Sequence, residues 1–142
     1  MNDPPTELTD FPVQVAIPVQ WGDQDVLGHV NAARYLTWFE TARVELLRRL
    51  GWSKVVAVGT GPILASLTCN YRRPVHFPDT VTIGARVEKL GRTSIHIAHV
   101  LYSESQATLV ADSTSVVVTF DYDNKCPVPI PQELRQAISN LA

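Results

Sequence analysis

Several common ingredients are scarce in this chain of 142 residues. It has two cysteines, Cys69 and Cys126, each without a second thiol at redox or metal-ligand spacing, so a disulfide framework and a paired-cysteine zinc site are both excluded. His76 sits in a proline-bounded loop, and His96 and His99 share no ligand spacing with it. No metal and no organic cofactor is expected. An excess of positive charge is also missing, since 12 Lys and Arg stand against 14 Asp and Glu for a net charge of -2 and a pI near 6.0. A nucleic-acid binder would carry a basic stripe to neutralise phosphates, so that class is excluded, and any anionic ligand must find a local cation. No apolar run approaches the roughly 20 residues that cross a bilayer. The opening MNDPPTELTDFP has neither the positive nor the apolar segment of an export signal. A protein of the reducing cytoplasm, with no membrane partner, is the expectation. The G-x-S-x-G elbow, the P-loop and G-x-G-x-x-G are all absent, which removes serine-hydrolase, nucleotide-hydrolase and dinucleotide readings.

What is present is an ordinary globular balance, 45% hydrophobic and 18% charged, in a length that fits one domain over 1–142. Residues 1–12, with three prolines and several acids, read as a loose N-terminal arm that buries little. Val13, Val15, Ile17 and Val19 then alternate with polar or small residues, the period-two pattern of a half-buried strand, with Pro18 tolerable only near an edge. From Ala32 to Leu50 the apolar positions Tyr35, Leu36, Phe39, Ala42, Leu46, Leu47 and Leu50 recur at three and four, predicting a helix with one broad buried face. Arg48 and Arg49 favour its C-terminal end, and Gly51 can take the left-handed conformation that closes it.

After Gly61 the pattern is mostly strand: Pro62 to Arg73, Thr80 to Leu90, Ser94 to Ser103 and Ala107 to Asp121. Gly91-Arg92 and the stretch Ser103 to Ala107 supply reversals, which predicts an antiparallel meander. The fold class is therefore α+β. A helix of nineteen residues spans roughly 28 Å and an eight-residue strand roughly 26 Å, so such a sheet can wrap the helix along its length. A short terminal helix follows the extended run Val128 to Pro131. The stretch Ser113 to Phe120 has no proline or lysine to guard it, and this strand or one of its neighbours is expected to be an open edge that association covers.

Chemistry concentrates in the loop and helix from Gln20 to Gly51, QWGDQDVLGHVNAARYLTWFETARVELLRRLG. Asp25 and His29 precede the helix, and Asn31 is the natural N-cap, bonding the N–H of Ala33 or Arg34 and leaving the Ala32 backbone N–H free. A carboxylate, an imidazole and the positive end of a helix dipole stand together, which suits a carbonyl that gains negative charge. Asp23 reads as a loop-ordering residue and Tyr35 as core. Glu40 and Arg43, spaced i, i+3, can pair on the helix surface.

The spacing Asp25-x-x-Gly28-His29-Val30-Asn31-x-x-x-Tyr35, with Glu40 and Arg43 beyond, resembles the hotdog-fold acyl-CoA thioesterases of the 4-hydroxybenzoyl-CoA thioesterase group. It is specific over Val19 to Gly51 and diffuse from Thr60 to Pro131. The resemblance implies a long central helix wrapped by an antiparallel sheet, and a homodimer or homotetramer. It also implies an acyl-CoA substrate, with Asp25 as nucleophile or general base and the Ala32 amide polarising the thioester carbonyl. Asp25 and His29 also resemble the ends of the D-x-N-x-H set of plant acyl-ACP thioesterases, but Leu27 replaces the asparagine. Bacterial long-chain acyl-CoA thioesterases, whose loop is similar to D-V-x-x-H-V-N-N-A-R-Y, lack that asparagine too. His29 is read as holding Asp25, with direct proton transfer the alternative, and Asn31 as a positioning residue. Arg92, with Lys89, falls in the turn where a related enzyme carries residues that contact CoA phosphates. Arg72 and Arg73 are the further cations near strand ends. An acyl-ACP thioesterase and a non-enzymatic acyl-CoA-binding protein remain the alternatives.

Overall fold

The computed structural model describes residues 5–55 and 57–141. Its strands are β1 (Val13–Pro18), β2 (Thr60–Tyr71), β3 (Thr80–Leu90), β4 (Ser94–Ser103), β5 (Thr108–Asp121) and the two-residue β6 (Cys126–Pro127). The helices are α1 (Ala32–Arg49), the single turn α2 (Trp52–Val55) and α3 (Gln132–Leu141). All pairings are antiparallel, in the order β1-β3-β4-β5-β2, with β6 added to the end of β5. The sheet curls around α1, which lies over β1 and β3 and reaches β4. This is the hotdog arrangement that the resemblance implied. No helix among the described residues is long and apolar enough to cross a membrane.

The long helix forms where its signals stand. Asn31 caps it, accepting from the Ala33 N–H at 2.9 Å, and Gly51 leaves it at φ 67°. Its core face carries Tyr35, Trp38, Phe39, Ala42 and Leu46, packed on Val13, Val81, Ile83, Ala85, Ile95 and Ile97. Burying Phe39 or Leu46 completely contributes about 1.5–3 kcal/mol each, and Leu46→Ala would leave a cavity costing about 2–5 kcal/mol.

Three sequence expectations are corrected. The arm is not loose over its described part, because a 3-10 turn at Thr6–Leu8 and the segment after it turn Leu8 and Phe11 into the interior. Two apolar side chains there outweigh the prolines; residues 1–4 lie outside the described part. The stretch Ser113 to Phe120 is not itself the open edge, since β5 is flanked by β4 and β2. The chain runs from β2 through residues 72–79 to β3, and β5 returns to pair with β2, so the open edges fall to β1 and β2. Nor do Glu40 and Arg43 make a surface pair: Glu40 is exposed, whereas Arg43 is 8% exposed and its Nη1 has no partner among the described residues.

Arg43 is part of a polar interior that periodicity does not reveal. His99 on β4 is 1% exposed with both ring nitrogens unpartnered, and Ser113, Ser115 and Thr119 of β5 have buried hydroxyls without partners among the described residues. Burial, reinforced by the nearby Arg43 charge, pulls the pKa of the His99 imidazole down to about 3. It packs instead as an aromatic, 5.5 Å from Phe39 between ring centres.

Candidate active site

The segment before α1 is a tight, internally bonded loop. Asp25 N–H donates to His29 O at 2.9 Å, Gly28 N–H returns to Asp25 O at 3.1 Å, and Gln24 and Val30 form an antiparallel bridge around the turn. Gly28 takes φ 85°, a conformation that a side chain would strain. The loop is fastened below by Asp23, whose carboxylate accepts from Gln20 N–H at 2.7 Å and pairs with Arg34 Nε at 3.0 Å, while its carbonyl accepts from Asn31 N–H at 2.9 Å. Val30 N–H is tied to Val75 O at 2.8 Å. The stem is therefore rigid, and Val26 and Leu27 at the tip are exposed.

On this stem Asp25 and His29 are half-buried and face the same way. Asp25 Oδ1 accepts the Leu27 N–H at 2.8 Å, a turn-ordering bond, and Oδ2 lies 3.8 Å from His29 Nδ1. At the helix start the Ala33 and Arg34 amides are taken by Asn31 Oδ1 and Asn31 O, both at 2.9 Å. The Ala32 N–H has no such partner among the described residues. Asp25, His29 and Ala32 line one cleft of about 330 Å³, completed by Val30, Tyr35, Tyr71, Arg72, Arg73 and Pro74.

Arg72 and Arg73, named from the sequence as further cations for the CoA phosphates, line this cleft, whereas Tyr71 is not among the residues the sequence pointed to. Tyr71 closes it from the end of β2, donating to Ala32 O at 2.8 Å with its ring 5.0 Å from that of Tyr35. Tyr35 in turn donates to Arg73 O at 3.3 Å. Arg72 is held by Asp112 at 2.9 Å, whereas Arg73 has no carboxylate at salt-bridge distance among the described residues. The signal for Tyr71 was an aromatic standing directly before those two cations, at a strand end that returns to the motif loop.

Arg92 and Lys89 lie elsewhere within one chain. The cleft adjoins the Thr80 end of β3, where Val19 N–H bonds Asp79 O at 2.9 Å, and Arg92 follows the other end after eleven strand residues, roughly 35 Å of extended backbone. Both side chains are exposed. A second cleft, of about 350 Å³, lies between Thr9, Pro12, Arg86 and Ile138 and holds no paired acid and imidazole. Among the described residues no group of three or more His, Cys, Asp or Glu is placed to hold a metal ion.

Comparison with known proteins identifies the family. Residues 19–138 match the family described as the thioesterase-like superfamily. The long-chain acyl-CoA thioesterase FadM of Escherichia coli is 28% identical over 130 residues, spanning 91% of this chain and 98% of that protein. The acyl-CoA thioesterase YbgC of Haemophilus influenzae is 26% identical over 134 residues, 92% of this chain and 94% of its own. Among solved structures, a Thermus thermophilus thioesterase in complex with coenzyme A and Zn superposes with a TM-score of 0.81 at 31% identity, covering 94% of this chain and 96% of that one.

Proposed function

The chain belongs to the thioesterase-like superfamily, and from that membership and the cleft beside α1 we propose that it hydrolyses the thioester of an acyl-CoA. The observation that carries this reading is the shared lining of one cleft by the Asp25 carboxylate and the unengaged Ala32 N–H. In the proposed reaction the thioester oxygen sits against that N–H. Charge that develops there is stabilised by the amide and the helix dipole, a donor of this kind being worth about 3 kcal/mol. Asp25 either attacks the acyl carbon, giving a mixed anhydride that water then opens, or takes a proton from water as the water oxygen bonds that carbon. On either route the C–S bond breaks and water supplies both the acid's new oxygen and the proton taken up by the coenzyme A sulfur; on the anhydride route its attack also restores the Asp25 carboxylate as the acid is released. His29 holds the Asp25 side of the loop, and Asn31 keeps the Ala32 amide turned outward.

A CoA carrier is favoured over an acyl-carrier protein because positive charge at the cleft is limited to Arg72 and Arg73, too little for an acidic protein surface. The coenzyme A seen in the Thermus thermophilus relative supports the same choice. Association belongs to the reading as well. β2 is a twelve-residue edge strand with Ile63 and Leu64 exposed, and two copies paired antiparallel along it would join two sheets into one. Such a pairing reverses β2, so the Arg92 and Lys89 turn of the second copy comes to the end of the sheet that carries Asp25 in the first. That is how these two residues would meet CoA phosphates.

Release of free thiol from a panel of acyl-CoAs, aliphatic and aromatic, tests the activity. Turnover of at least one member is expected; tight binding without thiol release would instead mark an acyl-CoA-binding protein. Sedimentation at micromolar concentration should give a dimer or larger, and an active monomer near 15.7 kDa would refute the association.

A further inference from the structure

Peptide 32–33, the first peptide unit within α1, is held at both ends. Its N–H, on Ala33, donates to Asn31 Oδ1 at 2.9 Å, and its C=O, on Ala32, accepts from the Tyr71 hydroxyl at 2.8 Å. The two restraints come from different parts of the chain, the cap from the motif loop and the phenol from β2, thirty-nine residues away. The Ala32 N–H is separated from that peptide only by the Ala32 Cα, so its direction follows the setting of the pinned unit. An amide donor aimed at a developing oxyanion is effective only while its direction is fixed, because a preorganised dipole needs no reorientation as charge appears.

We propose that Tyr71 is a positioning residue for thioester hydrolysis, fixing through the Ala32 carbonyl the direction of the Ala32 N–H that polarises the substrate. The proposal rests on the hydrolase reading given above. Tyr71 suits the task on three grounds. Its hydroxyl donates to Ala32 O at 2.8 Å, with the Cys69 thiol as its other neighbour. Its ring is braced on one side at 5.0 Å by Tyr35, whose own hydroxyl is tied to Arg73 O. Desolvation of the hydroxyl, with Cys69 beside it, raises its pKa to about 12, and it stays a protonated donor throughout the range in which a carboxylate catalyst works. The ring itself is half exposed, so the hydroxyl can be removed without opening the core.

The test uses the full-length protein and two readouts. In Tyr71→Phe, kcat for the best acyl-CoA of the panel should fall about tenfold, a fraction of the 10²–10³ lost when an oxyanion donor is removed, with KM within twofold and melting unchanged. Independently of activity, the Ala32 amide resonance should shift and its hydrogen exchange accelerate, since exchange reports local opening. Tyr71→Leu, which also removes the ring, should be no better than the phenylalanine variant. A phenylalanine variant of full kcat, one altered in KM alone, or one whose Ala32 amide is unmoved overturns the proposal. If wild-type protein turns over no thioester the hydrolase reading fails first, and the amide measurement still decides whether Tyr71 sets that peptide.

Discussion

Asp25 Oδ2 and His29 Nδ1 stand 3.8 Å apart across the base of the motif loop, beyond hydrogen-bond range, while Asp25 Oδ1 is held at 2.8 Å by the Leu27 N–H. One carboxylate oxygen is thus fixed by the turn and the other faces an imidazole without being bonded to it. The two residues are neighbours rather than a closed dyad, and substitutions should separate their roles.

Asp25→Asn keeps the side-chain size and the oxygen that accepts from Leu27 but removes the charge. Turnover of acyl-CoA should fall at least about a hundredfold with substrate binding largely kept. Near-wild-type hydrolysis by a correctly folded variant would remove Asp25 from the reaction.

His29→Ala should cost less, because the Asp25 backbone bonds to His29 O and Gly28 N–H survive the change and the carboxylate keeps its place on the stem. Steady-state kinetics should give a kcat between those of wild type and Asp25→Asn. Equal loss in the two variants, with the loop undisturbed in a crystal structure, would put His29 among the reacting groups.

Arg92→Ala probes the proposed contact with CoA phosphates. A solvated charge-assisted contact chiefly affects binding, so KM for an acyl-CoA should rise severalfold at low salt, kcat should hold, and a truncated acyl-pantetheine thioester should be indifferent. The same pattern from Arg73→Ala, and not from Arg92→Ala, would move the nucleotide to the cleft of the chain that supplies Asp25.

His99 links stability to pH. In the fold it titrates at about 3 against an ordinary 6.5, so between those values the unfolded chain binds the extra proton. The stability owed to neutral His99 is complete above pH 6.5 and is lost as pH falls toward the folded value, at up to about 1.4 kcal/mol per pH unit. Urea unfolding at pH 7 and at pH 4.5 should therefore differ by about 2–3 kcal/mol less in His99→Leu than in wild type. The same difference in both proteins would contradict the assignment.

Much of the fold was legible in the sequence. β3 and β4 run from Thr80 to Leu90 and from Ser94 to Ser103, as their alternation and bounding turns predict, and Asn31 caps α1 because a short carboxamide at that point is the nearest partner for a free amide. Strand order was not readable, since period two says which face is buried and nothing about which strand is adjacent; hence β5, a candidate for the open edge, lies inside. Arg43 and His99 were hidden for a related reason, a polar letter being scored as surface while the helix phase and the β4 alternation turn both inward. The part of the cleft built by Tyr71 and Arg73 depends on β2 returning to the start of α1, a long-range contact that no local pattern encodes.

The two edges of the sheet differ in a way that limits growth. β1 has six residues, ends in Pro18 and is bridged near its start by Gln14, whose amide donates to Leu8 O and Phe11 O; β2 has twelve residues and no such guard beyond Pro62 near its beginning. A molecule adhesive along both margins would polymerise into a ribbon. In the proposed pairing β2 is the one adhesive margin, so joining two copies would consume it and leave only the blunted β1 strands at either end of the joined sheet. On that pairing fibril formation would be disfavoured by asymmetry rather than by charge, which the chain, at a net -2, has too little of to keep its copies apart.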